Sequence, residues 1–171
     1  IRGAYGNIVS HNLIENIVGD GISVIGTENI IEYNELTMCV LQGVEGSGIY
    51  INGNRGLFTR SNHIRYNYIH DFRNPEYTKS IPSLAVTDDI GENNYFYGNL
   101  LVNGNSGYSI NGGDNHIVEN NVFINCKSSS GAQSYYYNHT DLIDAVLTEK
   151  PETVLSKRLI KRYGTRITDK L

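Results

Sequence analysis

The apolar positions of this chain recur in an eight-residue template that follows neither a helical period nor a simple alternation. The template has asparagine at positions 1 and 6 and an aliphatic or aromatic residue at positions 3 and 8. Its five copies are NIVSHNLI from Asn7, NIIEYNEL from Asn29, NHIRYNYI from Asn62, NYFYGNLL from Asn94 and HIVENNVF from His116. The first and last intervals between copies are equal, and the two middle intervals are longer by about half. Such repetition predicts an architecture of stacked units.

A second motif with strict alternation lies between the copies. It occurs as GISVIG from Gly21, GIYING from Gly48, SLAVTD from Ser83 and GYSING from Gly107. Alternation of this kind predicts short β-strands with one buried face. The residues that end the motif are expected to form one stacked column: Gly26, Gly53, Asp88 and Gly112.

The two motifs together predict an all-β parallel solenoid of about five coils. A period of about 22 residues with short strands is typical of that architecture, in which stacked coils join their apolar sides into one core. The asparagines at position 6 are expected to hydrogen-bond from coil to coil as ladders. The alternative is a β-sandwich with turns every 8–12 residues.

The solenoid repeats are predicted over residues 1–126, and residues 127–171 are predicted to form a C-terminal loop and helical capping segment. KSSSGAQS, from Lys127, is typical of a loop, and Val154, Leu155 and Leu159 recur near helical spacing. The first copy of the template starts close to residue 1. This predicts a fragment that lacks N-terminal coils, or a first coil covered by another chain.

Charge and cysteine content narrow the class of partner. The 171 residues carry a formal net charge of −4, which argues against wholesale nucleic-acid binding. No apolar run approaches the ~18 residues of a membrane span. Cys39 and Cys126 have no metal-site spacing and are expected to be buried thiols, although a disulfide between them is left open.

The longer intervals between copies indicate insertions, which in solenoids become loops on one face that often binds ligands. They lie around 38–47, 54–61 and 71–82, and they carry charged residues that include Glu45 and Arg55. The predicted outward neighbours on adjoining coils are Tyr50, Asn52, Thr87, Ser109 and Asn111. Such aromatic, hydroxyl and amide groups suit a sugar.

The pattern resembles the right-handed parallel β-helix proteins of the pectate-lyase-like superfamily over residues 3–126. The stretches EGSGIYINGNR, LAVTDD and NGGDNHIVENNVFINC are similar to β-helix glycoside hydrolases such as those of glycoside hydrolase family 141. That resemblance places Glu45, Asp88 and Asp114 on acidic positions of the family, with Asp89 one step later. It implies a secreted bacterial protein, extracellular or periplasmic, with a polysaccharide or oligosaccharide substrate.

Glycoside hydrolysis needs two carboxyl groups, about 5–5.5 Å apart for retention and about 6.5–9.5 Å apart for inversion. The expected catalytic residues are Asp88, Asp89 and Glu45, with no metal or cofactor. The expected substrate-binding residues are Tyr50, Asn52, Arg55, Asn111 and Asp114.

Two other functions remain open. A polysaccharide lyase would use Ca²⁺ held by Asp88, Asp89 and Glu92, since Ca²⁺ prefers oxygen ligands. Its base would be Lys79, Arg73 or Arg65. A non-catalytic β-helix would only bind glycans or serve as a scaffold. The adjacent His70 and Asp71 are expected to form a turn in preference to a functional pair.

Overall fold

A computed structural model describes residues 2–42, 46–52, 59–71, 84–89, 91–104, 106–111, 113, 115–126 and 131–133. At 2–4, 84, 85, 87–89 and 131–133 the description covers the backbone alone. Glu45, Arg55, Asp114, Arg73, Lys79 and the predicted C-terminal helices lie outside the described residues. The chain divides into two compact units, Ile1–Tyr135 and Tyr136–Leu171, and every described residue belongs to the first.

The described residues form short strands that follow one another in a regular cycle. In chain order they are β1 (Arg2–Tyr5), β2 (Ile8–Ser10), β3 (Leu13–Glu15), β4 (Ile22–Thr27), β5 (Ile30–Glu32), β6 (Glu35–Thr37), β7 (Ser47–Asn52), β8 (His63–Arg65), β9 (Tyr68–His70), β10 (Leu84–Asp89), β11 (Tyr95–Tyr97), β12 (Leu100–Val102), β13 (Ser109–Asn111), β14 (Ile117–Glu119), β15 (Val122–Ile124) and β16 (Gly131–Gln133). Each coil takes three of these strands, so that β1–β3 make coil 1 and β13–β15 make coil 5. No helix within these ranges is long and apolar enough to cross a membrane.

The strands pair into three parallel sheets, each of which collects one strand from every coil. Sheet A has the order β1-β4-β7-β10-β13-β16, sheet B the order β2-β5-β8-β11-β14, and sheet C the order β3-β6-β9-β12-β15. Equivalent residues of successive coils pair directly, as Val9 does with Ile31 and Ile14 with Leu36. The predicted parallel β-helix of about five coils is confirmed.

The core lies between the three sheets and is built from the predicted apolar positions. Position 3 of the template stacks Ile31, Ile64 and Phe96 in sheet B. Position 8 stacks the corresponding aliphatic residues of coils 2 to 4 in sheet C. These side chains are at most 2% exposed. Burial of each is worth roughly 1.5–3 kcal/mol, so coil stacking is the main source of stability.

Both template asparagines form ladders along the turns, as expected for position 6. The backbone N–H and the Nδ2 of Asn34 both donate to Oδ1 of Asn67, at 3.0 and 3.1 Å. Asn67 repeats the pattern toward Asn99 at 3.0 Å and also donates from Nδ2 to the carbonyl of Ile31 at 2.9 Å. A parallel ladder joins Asn29, Asn62 and Asn94 at the turn from sheet A to sheet B.

The register of β10 differs from the prediction by two residues. Val86 pairs with Ile49, and Asp88 pairs with Ile51 on β7 and with Ile110 on β13. Asp88 therefore does not share a column with the turn glycines, and that prediction is wrong. A slip of two residues preserves the alternation of a strand, so the hydrophobic pattern alone could not reveal it.

The β-structure also extends past the predicted end of the repeats at residue 126. Gly131–Gln133 pairs with β13 as β16, which adds a sixth strand to sheet A. The prediction of a loop throughout KSSSGAQS is wrong at these three residues. Gly and Ala carry little intrinsic strand preference, so the edge of the preceding coil, which supplies hydrogen-bond partners, decides the conformation.

The two cysteines are free thiols that lie three coils apart. Cys39 follows β6 in coil 2 and Cys126 follows β15 in coil 5. Three steps of about 4.8 Å exceed the ~7 Å Cα separation that a disulfide tolerates. Cys39 is buried, and burial followed by the negative charge of Asp20 raises the pKa of its thiol to about 11.

The turns from sheet B to sheet C each contain a residue in the left-handed backbone region. These residues are His11, Tyr33, Tyr66, Gly98 and Asn120. The rings of His11, Tyr33 and Tyr66 stack in sequence at 5.2 and 5.3 Å between centroids. The Tyr66 ring then covers Gly98, where a Cβ would lie 2.6 Å from two ring carbons. Glycine at this position lets the aromatic column close against the next coil.

The buried ladder predicts a large stability cost for Asn67→Ala. The change removes hydrogen bonds on both sides and leaves the buried amide of Asn34 without its acceptor, so we expect a loss on the order of 3 kcal/mol. Asn12→Ala, at the exposed start of the same ladder, is the control and should cost about 1 kcal/mol. Urea denaturation of both variants measures the difference, and equal losses would contradict a role for the ladder in stability.

Gly98 and Gly6 form a matched pair for testing the aromatic column. Both have φ of 66°, but a Cβ at Gly6 would meet nothing within 4 Å. Gly6→Ala should cost about 1 kcal/mol for the left-handed backbone alone. Gly98→Ala should cost about 1 kcal/mol more, because Tyr66 must leave its stack. In a Tyr66→Ala background thermal denaturation should show equal costs for the two substitutions; a persistent excess at Gly98 would exclude the ring as its cause.

Candidate functional site

The outer face of sheet A carries a two-column array of polar and aromatic residues across coils 3 to 5. In one column Thr87 pairs with Tyr50 and with Ser109. In the other, Asp89 pairs with Asn52 and with Asn111.

We call this set the sheet A array: Tyr50, Asn52, Thr87, Asp89, Ser109 and Asn111. The side chains of Tyr50, Asn52, Ser109 and Asn111 are half-buried. The Ser109 hydroxyl donates to Oδ1 of Asn111 at 3.3 Å.

The array brings together three of the predicted substrate-binding residues with one predicted catalytic residue. Tyr50, Asn52 and Asn111 lie on strands that flank Asp89 directly. Asp88 instead occupies the register position of Ile51, which is fully buried, and of Ile110, which packs against the core. Adjacent residues of a strand belong to opposite faces, so the register separates the two aspartates that were predicted to act as a pair.

The insertions attach to the ends of β7 and β10, two central strands of this sheet. Residues 43–45, with Glu45, precede β7, and residues 72–83 precede β10. Residues 53–58, with Arg55, follow β7, and the Thr59 hydroxyl donates to the carbonyl of Asn52 at 3.0 Å to tie the two ends of that segment together. The array therefore lies between the attachment points of all three predicted loops.

A close backbone approach borders the array just after β13, the first strand of coil 5. Gly113 has φ of 89°, and a Cβ there would overlap the carbonyl oxygen of Gly91 in the coil before. Only glycine fits, because the position needs both a left-handed backbone and the absence of a side chain. This gives a physical reason for the Gly-Gly pair that precedes Asp114.

A buried ion pair lies at the turn from sheet A to sheet B. Nη2 of Arg60 and Oε2 of Glu92 are 3.6 Å apart, and both residues are 7% exposed. Removal of either partner would leave an unpaired charge in the interior and would destabilise the fold. Glu92 was predicted as a calcium ligand, and its carboxylate here forms an ion pair with Arg60.

Arg65, predicted as a candidate lyase base, lies on sheet B and holds its proton firmly. Its Nε donates to Glu32 at 2.6 Å and its Nη1 donates to the hydroxyl of Tyr97 at 2.7 Å. The hydrogen bond to Tyr97, followed by the one to Glu32, raises the pKa of Arg65 above its usual range. A proton acceptor needs the opposite shift, so this residue is unsuited to that role.

A second polar cluster, which the sequence did not predict as a unit, lies on the outer face of sheet C around the end of β9. Nδ1 of His70 is 2.7 Å from Oδ2 of Asp71, and Nε2 is 3.2 Å from Oε1 of Glu35 in the coil before. Asn103 donates from Nδ2 to Asp71 at 2.8 Å. Asp71 has φ of 56°, so the predicted turn and the His–Asp contact are both present. The sequence could have indicated Glu35 as a neighbour of this cluster, because the interval between the second and third copies of the template brings β6 beside β9.

None of the described residues forms a group of three or more His, Cys, Asp or Glu arranged to hold a metal ion. Comparison with family models matches residues 1–148 to the right-handed β-helix region. The chain belongs to the right-handed β-helix family. Comparison with curated proteins and with solved structures gave no match. Membership of the right-handed β-helix family gives the coils their hand and, through members that act on carbohydrates, directs attention to the sheet A array.

The His70 cluster predicts a measurable shift at Asp71. The hydrogen bond to His70, followed by the one from Asn103, lowers the pKa of Asp71 below its usual value. The cluster therefore stabilises the fold above the ordinary Asp pKa of about 3.9, and this contribution is lost as the pH falls through the lowered pKa. Because Asp71 is half exposed, the stability effect is well under about 1 kcal/mol.

Carboxyl-carbon NMR titration of Asp71 therefore measures the effect better than denaturation does. His70→Phe keeps a ring beside Tyr68 but removes both nitrogens, and it should move the pKa of Asp71 up toward its usual value. Asn103→Ala should produce a smaller upward shift, and Glu119→Gln, on sheet B, should produce none. An unchanged titration in His70→Phe would exclude the histidine as the main cause.

Proposed function

We propose that this right-handed β-helix protein is a glycoside hydrolase that acts on a polysaccharide or oligosaccharide along the outer face of sheet A. The observation that carries the proposal is the sheet A array. It presents an aromatic ring, amides, hydroxyls and one carboxylate position in register across three successive coils.

The chemistry of the array suits a carbohydrate. The ring of a tyrosine offers apolar contact to a sugar face, and its hydroxyl offers a hydrogen bond. Asparagine side chains both donate and accept, which matches the paired roles of sugar hydroxyls. Successive coils repeat at about 4.8 Å, so the face extends in one direction and favours a chain over a compact ligand.

In the proposed mechanism Asp89 is one of the two carboxyl groups of the reaction. One carboxyl protonates the leaving glycosidic oxygen, and the other activates water or attacks the sugar carbon. The register of β10 disfavours Asp88 as the partner of Asp89. The alternative partners are Asp114, three residues after Asn111 in the sequence, and Glu45. Because Asp89 pairs with Asn52, Glu45 lies seven residues before the position of Asp89, roughly 23 Å along an extended strand, and it can act only if its segment folds back over the face of sheet A.

Tyr50, Asn52 and Asn111 would hold the sugar units on either side of the cleavage point. Arg55, in the segment after β7, is proposed as a further substrate-binding residue. The proposed substrate is a polymer, which favours a location outside the cytoplasm. The expectations of a secreted bacterial protein and of catalysis without a metal belong to the same proposal.

The first test is hydrolysis of a polysaccharide panel by the full chain and by Asp89→Asn. Removal of an acid–base carboxyl should reduce the rate by about 100-fold or more, with the substrate KM little changed. Glu119→Gln on sheet B removes one carboxylate elsewhere and should leave the rate unchanged. Asp88→Asn, at the register position of Ile51 and Ile110, should reduce kcat much less than Asp89→Asn does.

The products distinguish the alternatives. New reducing ends without ultraviolet absorbance from an unsaturated uronate support the hydrolase. Absorbing products that a chelator abolishes would replace it with the lyase. Inactivity over the whole panel, with retained glycan binding in Asp89→Asn, would leave a binding protein and would overturn the proposed catalysis.

A further inference from the structure

The hydrogen bonds of the His70 cluster have a direction, which follows from the atoms that can donate. Asn125 donates from Nδ2 to Oδ1 of Asn103 at 2.8 Å, and Asn103 donates from Nδ2 to Oδ1 of Asp71 at 2.8 Å. An ionised carboxylate only accepts, and the two hydrogen bonds at Asp71 lower its pKa. Oδ2 of Asp71 lies 2.7 Å from Nδ1 of His70, so this ring nitrogen carries a hydrogen and donates it to the carboxylate.

The other ring nitrogen of His70 faces a second acceptor. Nε2 lies 3.2 Å from Oε1 of Glu35, one coil earlier. A neutral imidazole has a single N–H, and Nδ1 already uses it for Asp71. A neutral ring would therefore present a bare Nε2 to the carboxylate oxygen, with two lone pairs opposed at hydrogen-bond distance. The contact is favourable only when one further proton lies between the two atoms.

Packing holds the His70 ring in this position. The ring stacks on Tyr68 with centroids 4.1 Å apart, and the side chain of His70 is only 14% exposed. In the described part of the chain its strand neighbours are Thr37 on β6 and Val102 on β12, which carry no charge. The titratable groups that face the ring from these elements and from its own strand are therefore Tyr68 and the two carboxylates of the cluster.

We propose that the His70 cluster binds one proton between Nε2 of His70 and Oε1 of Glu35, and that this proton links coil 3 to coil 2 on the outer face of sheet C. The Glu35 side chain is 50% exposed, so the proton exchanges with solvent. When the proton passes to water at higher pH, two acceptors remain and this contact opens. The hydrogen bonds that Asp71 accepts are retained. This pH-sensitive link is independent of the proposed function.

NMR spectra of the full chain with nitrogen-15-labelled histidine test the link directly, because the shift of each ring nitrogen shows whether it carries hydrogen. As the pH is raised, Nε2 of His70 should lose its proton while Nδ1 keeps its own. The nuclear Overhauser effect between the His70 ring and the Glu35 side chain should weaken in the same transition. Loss of the proton from Nδ1 instead, or an Overhauser effect that stays constant, would overturn the proposal.

Glu35→Gln provides the matched comparison. The glutamine amide can donate an N–H to a bare Nε2, so the ring should bind its second proton about threefold to tenfold more weakly than in the unmodified chain. The Overhauser effect between residues 35 and 70 should then persist throughout the titration.

Glu15→Gln is the control for general charge. Glu15 lies in the same column of sheet C as His70, with Thr37 between them. Its replacement should change proton binding at His70 by less than about twofold, because the separation of about 10 Å is close to the screening length in physiological salt. Equal effects of the two variants would overturn the proposal, since the proton would then respond to net charge and not to the contact with Glu35.

Discussion

The vertical hydrogen bonding of asparagine side chains is the constraint on which the rest of the structure depends. Apolar contacts supply most of the free energy of stacking, but they tolerate small slips along a strand. An asparagine ladder does not tolerate such a slip. The Oδ1 of each asparagine accepts two hydrogen bonds from the coil before, and its own N–H groups donate to the coil after. Asn34, Asn67 and Asn99 sit at the turn from sheet B to sheet C and fix each coil against the next. The three sheets therefore keep one register, and outward residues meet across coils that are distant in the sequence.

The sheet A array is a direct consequence of that register. Asp89 lies beside Asn52 and Asn111 because the coils on both sides are held by their ladders, although a full coil and an insertion separate Asn52 from Asp89 in the sequence. Insertions are accommodated at the ends of the sheet A strands without disturbing this alignment. The fold thus separates two tasks, since the ladders and core maintain the stack while one face of sheet A and the segments at its strand ends remain available for binding a ligand.

Much of this fold could be predicted from the sequence because the template recurs, so that the role assigned to a position in one copy can be compared with the same position in the others. The apolar residues at positions 3 and 8 and the ladders at position 6 each recur in five copies, and the structure stacks them as predicted. The register of β10 was not predicted, because SLAVTD keeps its alternation under a two-residue slip and no asparagine of the template lies in that strand. β16 was missed because Gly131 and Ala132 carry no strong apolar signal. The contact between His70 and Glu35 was not predicted, because it depends on the exact stacking of coil 3 on coil 2.

The central claim is that the outer face of sheet A binds carbohydrate, and chemical-shift mapping with an oligosaccharide panel tests it most directly. The account predicts that saturating glycan shifts the amide resonances of Tyr50, Asn52, Ser109 and Asn111, while those of Tyr33 and Tyr66 on the opposite turn stay in place. Shifts confined to the aromatic column around Tyr33 and Tyr66, with the sheet A array unaffected, would contradict it.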